Sequence, residues 1–250
     1  MNSRIDAFLE RIVDCTTTRS EELPLGRAYF NDELPSVWDL NFLRARAGSA
    51  MELAAAAEHV HVAAGLRHRR VVAGAELGES LAAGFRDLRW DREALLRMVR
   101  TRAPDRPAGS RVEEVAIEDV APLYREFREH ESFGADAQAV AALARRDELI
   151  ARAGGGRFFA VREDGRTLAF CGLYTDGRTA QVEDVITARA HRRRGHARAV
   201  VLRAAHEASA AGCDLTFLQA ESEDWPKTFY ERLGFDPVGT IWNFLKRPPL

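Results

Sequence analysis

The sequence has little lysine, few cysteines and no long apolar segment. Lys227 and Lys246 are its only lysines, so nearly all of the 36 basic residues are arginines, and 38 acidic residues leave a formal net charge of -2. This balance argues against a nucleic-acid-binding protein and against one that binds an anionic membrane surface. No apolar run approaches the roughly 18 residues that a membrane-spanning helix needs. Segment 1–14 carries too many charges for a signal peptide.

The cysteines exclude two further classes of protein. Cys15, Cys171 and Cys213 lie far apart, their number is odd, and no Cys-x-x-Cys pair occurs. Such a pattern is typical neither of a disulfide scaffold nor of a zinc site, and it suits a reducing compartment. His59 and His61 are two positions apart and do not share a helix face. We therefore expect no metal ion and a cytoplasmic protein.

The rest of the composition is that of a globular protein. The chain has 250 residues, of which 46% are apolar and 30% are charged, enough to bury one or two cores. Residues 102–110 contain two prolines and a glycine without apolar periodicity, which indicates a linker. We therefore predict two domains, at 1–108 and 111–250.

Residues 111–246 alternate between strand and helix patterns, which predicts a mixed α/β (α+β) fold. Asp164-Gly165 and Asp176-Gly177 separate short apolar runs, as in β-hairpins, and Asp119 is a good helix N-cap. A helix with a face of small apolar residues then joins two strands, which predicts a right-handed parallel crossover. The predicted strands are 111–117, 157–162, 167–174, 179–187, 214–220, 235–238 and 241–246. One predicted helix begins after Asp119, and the others span 136–153, 197–208 and 225–233.

The segment between strand 179–187 and the next helix carries the clearest functional signal. It reads Arg192-Arg193-Arg194-Gly195-His196-Ala197. The first turn of a helix has free backbone N–H groups and the positive end of the helix dipole, so it attracts anions such as a diphosphate. Gly195 and Ala197 leave the approach open, and the arginines add positive charge. On these residues alone, an ordinary surface turn is an equal alternative.

Two motifs together mark the second half. The pattern R/Q-x-x-G-x-G/A at a helix start is present as Arg192–Ala197, and the pattern Y-x-x-L-G-F is present as Tyr230–Phe235. With this spacing, residues 112–246 resemble the GNAT superfamily of acetyl-CoA-dependent N-acetyltransferases, which implies the acyl-CoA N-acyltransferase fold. The chain departs from the family at Glu223 and Pro226, where members often carry Asn-x-x-Ala. This departure puts the cofactor contact of that Asn in doubt.

The resemblance implies that acetyl-CoA is the co-substrate and assigns residues to it. The pantetheine arm would pair with the strand at 185–187, and the diphosphate would lie on backbone N–H groups at the helix start. The candidate cofactor-binding residues are therefore Val185, Ile186, Thr187, Arg192, Arg193, Arg194, Gly195, His196, Ala197 and Arg198.

The resemblance also implies direct acetyl transfer in a ternary complex, with two proton transfers. Tyr230 matches the family's general acid, since a tyrosine with a pKa near ~10 is protonated at neutral pH. Glu183 is the candidate general base, and strand alternation turns Asp184 to the opposite face. The alternatives are a core aromatic for Tyr230 and a solvent-facing or arginine-paired carboxylate for Glu183. Fold analogy places segment 131–134 on the acceptor side.

The first half looks like a truncated, degenerate copy of the same fold. A helix at 4–13 precedes a strand at 37–44, a helix through 53–64 and a strand at 70–73. Phe85 then stands where the second half has Tyr230. This half has no R-x-x-G-x-A pattern and lacks two hairpin strands. We expect it to be structural or to shape the acceptor site, and to bind no CoA.

The sequence therefore predicts an N-acetyltransferase that acts on a primary amine of a small molecule or peptide. Nucleic acids and membranes are not expected as partners. The sequence leaves open whether the chain forms a homodimer. One alternative is a non-catalytic acyl-CoA-binding or scaffold protein, because a fold does not determine a function. Another is an acetyltransferase similar to mycothiol synthase, which has a tandem layout but for which this chain is short.

Overall fold

The computed structural model describes residues 1–131, 136–222 and 226–248, without the side chain of Pro226. The segment expected on the acceptor side, 131–134, lies outside the described residues except for Glu131, and Glu223 also lies outside them.

Helices and strands occur in mixed order, which confirms the predicted class. No helix of the described ranges combines the length and the apolar character that crossing a membrane requires. The helices are α1 (Asn2–Thr16), α2 (Ala50–Ala63), α3 (Ala75–Asp87), α4 (Ile117–Glu129), α5 (Ala137–Gly154), α6 (His196–Ala210) and α7 (Pro226–Arg232), with single 3-10 turns at Trp38–Leu40 and Arg189–His191. The strands are β1 (Arg19–Leu23), β2 (Gly26–Phe30), β3 (Phe42–Ala45), β4 (Arg69–Gly74), β5 (Asp91–Arg100), β6 (Glu113–Val115), β7 (Arg157–Glu163), β8 (Arg166–Thr175), β9 (Thr179–Thr187), β10 (Leu215–Glu221) and β11 (Phe235–Lys246).

The chain divides into two compact units, each of which takes segments from both ends of the chain. Unit 1 consists of Met1–Ile12, Met98–Gln219 and Thr228–Pro237, and unit 2 consists of Val13–Arg97, Ala220–Lys227 and Val238–Leu250. These bounds differ from the contiguous ranges 1–108 and 111–250, and the predicted linker 102–110 belongs to unit 1. The assignment of 1–108 as an acetyltransferase-like domain stays a prediction.

In unit 1 the strands lie in the order β10-β9-β8-β7-β6. Neighbouring strands are antiparallel except β9 and β10, which are parallel and are connected through α6. The small apolar residues of α6 are buried, and the Cys171 thiol on β8 donates to the carbonyl of Val200 on this helix at 3.3 Å. The predicted hairpins and the parallel crossover are therefore confirmed.

The opposite face of this sheet carries α4. Successive strand residues point to opposite faces, so Phe170 points away from the face of its neighbour Cys171. The Phe170 ring packs against Tyr124 of α4, with ring centroids 4.6 Å apart. The sheet of unit 1 therefore has α6 on one face and α4 on the other.

Three local predictions in the chain are wrong. Asp119 is not the N-cap of α4: the helix begins two residues before it, and the Asp119 carboxylate accepts from the N–H of Ala116 at 3.2 Å. The predicted strands 235–238 and 241–246 are one strand, because β11 pairs along β4. The predicted strand 37–44 is a 3-10 turn followed by the shorter β3.

In unit 2 the strands lie in the order β1-β2-β3-β4-β11-β5. Strands β3 and β4 are parallel and are connected through α2, whereas β11 is antiparallel to β4. The expectation that the first half lacks hairpin strands is wrong, because β1 and β2 form a hairpin. The polar, exposed sequence of β1 hides this strand from periodicity analysis. The order β1-β2-β3-α2-β4-α3-β5 thus repeats as β7-β8-β9-α6-β10-α7-β11.

The core of unit 2 encloses two histidines. The His61 and His68 rings are 0% and 1% exposed, with centroids 5.7 Å apart. His61 Nδ1 donates to the Ala57 carbonyl at 2.8 Å, and Nε2 has no hydrogen-bond partner among the described residues. Burial, followed by the neighbouring His68, lowers the pKa of His61 to about 4, and burial also lowers the pKa of His68 to about 4. Both rings are therefore neutral at pH 7.

This burial predicts a stability that falls in mild acid. Between about pH 6.5 and pH 4 the unfolded chain binds protons that the folded chain excludes, so the free energy of unfolding decreases as the pH falls, by up to roughly 1.4 kcal/mol per pH unit for each histidine. We expect His61→Leu to flatten this dependence in urea titrations at pH 7, 6 and 5. His59→Leu, which changes an exposed histidine of the same helix, is the control. Equal pH dependence in both variants would contradict the assignment.

Candidate active site

Strand β9 separates from β10 about a third of the way along its length. The parallel register joins Thr179–Gln181 to Leu215–Phe217. From Val182 onward, within the described residues, β9 pairs only with β8. Backbone N–H and C=O groups of β9 are therefore available on the side where the two parallel strands part.

A β-bulge lies in the separated part of β9, shortly after its last pair with β10. Gly172 of β8 is opposite Glu183 and Phe170 is opposite Ile186, so the single residue between them on β8 faces both Asp184 and Val185. Asp184 has a φ of 54°, a left-handed conformation that costs a non-glycine residue about 1–2 kcal/mol. Such a bulge bends its strand and increases the local twist.

The bulge overturns the expectation that Glu183 and Asp184 face opposite sides. Gly172 and Tyr174 share one face of β8, and Glu183 is the partner of Gly172. The Tyr174 hydroxyl donates to Asp184 Oδ2 at 3.2 Å, so Asp184 turns to that same face. The extra residue interrupts the alternation on which the expectation rested, and two carboxylates therefore lie side by side on the face that carries α4.

Two buried tyrosines accompany these carboxylates, and sequence reasoning missed both. Burial, reinforced by the Asp184 charge, raises the pKa of Tyr124 and of Tyr174 well above the usual tyrosine range. Both hydroxyls are therefore protonated at neutral pH and can donate to the Asp184 carboxylate. No sequence signal marks this cluster, because it depends on the bulge.

The candidate acid and base, Tyr230 and Glu183, lie within electrostatic range of each other. Tyr230 lies on α7 and is 9% exposed. Burial raises its pKa above the usual range, and the charge of Glu183 adds to this effect. The Gln181 side-chain amide donates to the Glu183 carboxylate. The Glu183 carboxylate is thus close enough for its charge to act on the Tyr230 phenol.

The start of α6 is open. Gly195 is its N-cap, with a φ of 83°, and no side chain accepts from the first-turn N–H groups. A Cβ on Gly195 would meet no atom within 4 Å, and the first turn contains no acidic residue. Arg193, with a φ of 63°, also adopts the left-handed conformation. Such turns direct backbone N–H groups outward, as in anion-binding loops.

The equivalent helix of unit 2 begins in the opposite way. Ser49 caps α2, and its hydroxyl and the Glu52 carboxylate form a complete capping box. These side chains accept hydrogen bonds from the N–H groups of Glu52 and Ser49, and Glu52 places a negative charge in the first turn. The start of α2 is therefore closed to anions, whereas the start of α6 is not.

The predicted cofactor-binding residues do not all lie in the same environment. Arg193 and Arg194 are exposed beside the α6 start, whereas the Arg192 guanidinium donates to the Thr187 carbonyl at 3.4 Å. Val185 and Thr187 are half-buried on β9 beyond the bulge, Ile186 is buried, and Ala197 is half-buried in the first turn.

Two of the predicted cofactor-binding residues, Arg198 and His196, contact the segment before β6. Arg198 is buried, pairs with Asp105 at 2.6 Å and donates to the Arg106 carbonyl at 3.0 Å. His196 Nδ1 lies 3.0 Å from the Ser110 hydroxyl. Burial, together with nearby positive charge, lowers the pKa of His196, which keeps its ring neutral at pH 7.

A separate cleft of about 1170 Å³ lies between α4, α5 and strands β6 and β7. Its lining does not include Gly195, Glu183 or Tyr230. Arg128 and Asp147 form an ion pair at its inner end, with side chains 8% and 6% exposed. Burial raises the pKa of Asp147, and the charges of Arg146 and Arg128 oppose this.

No cluster of three or more metal-ligating side chains occurs in residues 1–131, 136–222 and 226–248. The cysteines are unpaired in these ranges, and burial raises the pKa of Cys171 well above the usual thiol range. A thiol in such a site is a poor nucleophile.

Comparison with known proteins finds a family match in this region. Residues 154–237 match a family model described as an acetyltransferase (GNAT) domain. This match spans the bulge, the start of α6 and Tyr230. No curated protein matches the sequence.

Solved structures share the fold over nearly the whole chain. A conserved protein of unknown function from Staphylococcus epidermidis has a TM-score of 0.72 at 13% identity, covering 97% of this chain and 98% of its own. A GCN5-related N-acetyltransferase from Kribbella flavida has a TM-score of 0.65 at 19% identity, with 97% and 94% covered. A tandem GNAT protein from the clavulanic acid biosynthesis pathway has a TM-score of 0.55 at 14% identity, with 98% and 96% covered.

The buried pair in the cleft predicts a specific stability pattern. Arg128→Met leaves the buried Asp147 carboxylate with Arg146, at 3.1 Å, as its remaining partner, and is expected to lower the free energy of unfolding by up to about 3 kcal/mol. The double variant Arg128→Met/Asp147→Leu removes both charges and is expected to be more stable than the single variant. Urea unfolding at pH 7 measures both. A double variant that is no more stable than Arg128→Met would contradict this account.

Proposed function

We propose that this chain, which carries an acetyltransferase (GNAT) domain at residues 154–237, transfers an acetyl group from acetyl-CoA directly to a primary amine of a small molecule or peptide. The family resemblance and the acyl-CoA N-acyltransferase fold expected from the two motifs are confirmed. GNAT domains use an acyl-CoA as co-substrate. The observation that carries the proposal is the open start of α6, beside the separated part of β9.

The residues present fit a diphosphate. The uncapped N–H groups of α6 and its dipole favour an anion, and open space at Gly195 admits one. Arg193 and Arg194 supply the positive charge from exposed positions. We assign the diphosphate to this turn, and the pantetheine arm to the free edge of β9 at Val185–Thr187, where backbone groups can pair with its amides.

The co-substrate supplies a thioester, whose acyl carbon accepts the amine. The task of the chain is mainly to hold the two reactants in place in a ternary complex, which can supply several kcal/mol of the barrier reduction. Backbone N–H groups of β9 near the bulge are free to polarise a carbonyl oxygen. The chain has no exposed thiol in this region that would favour an acyl-enzyme.

Two side chains perform the proton transfers in this proposal. Glu183 accepts a proton from the acceptor ammonium, directly or through water, so that the nitrogen lone pair becomes available. Tyr230 donates its phenolic proton to the departing sulfur of CoA. Burial and the nearby Glu183 charge raise the pKa of Tyr230, so the phenol holds its proton until the transfer.

Unit 2 is proposed to bind no coenzyme. At the start of α2, the Ser49 hydroxyl caps the Glu52 N–H and the Glu52 carboxylate repels an anion. Phe85 replaces a tyrosine and packs against Phe244, with ring centroids 4.2 Å apart. This repeat therefore contributes structure and not acyl transfer.

Coenzyme binding tests the open helix start. We expect CoA to bind the wild-type protein in isothermal titration calorimetry, and Ala197→Glu to weaken binding about tenfold or more, because it places a charge beside the diphosphate as Glu52 does in α2. Ser209→Glu, the same charge on an exposed position in the last turn of α6, is the control. No heat on addition of CoA to the wild type would refute the proposed site.

Turnover tests the role of Tyr230. With acetyl-CoA and a panel of primary amines, we expect amine-dependent release of the CoA thiol. Tyr230→Phe should lower kcat by about 100-fold while CoA affinity is unchanged, since the ring and its packing are kept. Binding of CoA without turnover on any amine would instead assign the non-catalytic acyl-CoA-binding role.

A further inference from the structure

The helix that carries Tyr230 is short. α7 spans seven residues, Pro226–Arg232. Isolated helices below roughly 12–15 residues are marginal in water, so tertiary contacts must hold α7 in place. The last carbonyls of a helix also need hydrogen-bond donors from outside it. The donors to the end of α7 therefore help to determine where the Tyr230 hydroxyl lies.

The segment before β6 supplies these donors. We call residues 101–110 the strap. The Arg102 guanidinium donates to the Glu231 carbonyl at 2.7 Å and to Asp236 Oδ1 at 3.0 Å. The N–H of Asp105 donates to the Arg232 carbonyl at 2.9 Å. A cation at a helix C-terminus also interacts favourably with the helix dipole.

The turn after α7 lies in close backbone contact with the strap. Gly234 has a φ of 91°, and a Cβ there would lie 2.1 Å from the Arg102 carbonyl oxygen. The N–H of Thr101 donates to the Gly234 carbonyl at 2.9 Å. No side chain fits between the strap and this turn. The glycine of the Y-x-x-L-G-F motif is thus the position at which the strap contacts the backbone of the turn.

The other end of the strap lies on the first turns of α6. Asp105 pairs with Arg198 at 2.6 Å, and Arg198 donates to the Arg106 carbonyl at 3.0 Å. Ser110 lies 3.0 Å from His196 Nδ1. One ten-residue segment therefore connects the end of the Tyr230 helix to the proposed diphosphate site.

We propose that the strap positions Tyr230 relative to the bound coenzyme, with Arg102 as the positioning residue at the α7 end and Asp105 at the α6 end. This inference rests on the proposed function. The strap, whose composition is that of a linker, thus supports the proposed acyl-transfer site. It touches neither the thioester nor the amine, and acts by holding α7 in place.

A double-mutant cycle separates positioning from general stabilisation. Arg102→Ala is expected to lower kcat about tenfold or more with little change in the KM for acetyl-CoA, because a small displacement of a catalytic group is costly. In the Tyr230→Phe background the same substitution should have no further effect on kcat. Arg4→Ala, which removes another exposed ion pair of unit 1, to Asp214, is the matched control and should leave kcat unchanged.

Hydrogen–deuterium exchange gives a readout that does not depend on turnover. Arg102→Ala and the isosteric Asp236→Asn should both speed exchange of the α7 amides, whereas Arg4→Ala should not. Multiplicative losses of kcat in the cycle, or unchanged exchange of the α7 amides in both Arg102→Ala and Asp236→Asn, would overturn the proposal. If the wild-type protein turns over no amine, the proposed function fails, and the exchange measurement alone decides whether the strap holds α7. If Arg102→Ala does not fold, Asp236→Asn takes its place in the cycle.

Discussion

The separation of β9 from β10 is the constraint on which the candidate site depends. Just past the start of this separation, β9 carries one extra residue, and Asp184 adopts a left-handed conformation that costs a non-glycine residue free energy. The hydrogen bond from Tyr174 offsets part of this cost. The consequence is an interior strand with a free edge. Its backbone groups can pair with an extended ligand, and its two carboxylates share a face with Tyr174 and Tyr124.

The two repeats show how the same arrangement of elements can have opposite chemistry. In each repeat, a helix connects two neighbouring parallel strands. Helix α6 begins at a glycine, without a side-chain cap, whereas α2 begins with a serine and a glutamate that form a capping box. The first is the proposed anion site, and the second is a capped helix end. The difference lies in two or three side chains, so the fold alone does not assign the function.

Sequence patterns predicted the elements of unit 1 well, because their signals are local. The Asp-Gly pairs mark the hairpins, the small apolar stripe of α6 marks a buried helix, and Asp136 caps α5 as a capping residue should. The failures have non-local causes. Strand β11 is continuous because β4 supplies its partners, and β1 is a strand because β2 pairs with it, although neither sequence alternates clearly. Arg198 was assigned to phosphate by its position, but the strap, which composition describes only as a linker, brings Asp105 against it.

The sequence by itself determined the class of fold, the two motifs and the residue types available for acyl transfer, since these follow from short-range periodicity and helix-end chemistry. Only the tertiary structure decided which of these residues meet. The bulge turns Asp184 toward Glu183, the burial of Tyr230 keeps its phenol protonated, and a segment more than 120 residues away in sequence holds the end of its helix. Such encounters depend on strand register and on packing between distant segments, which no local pattern in the chain encodes.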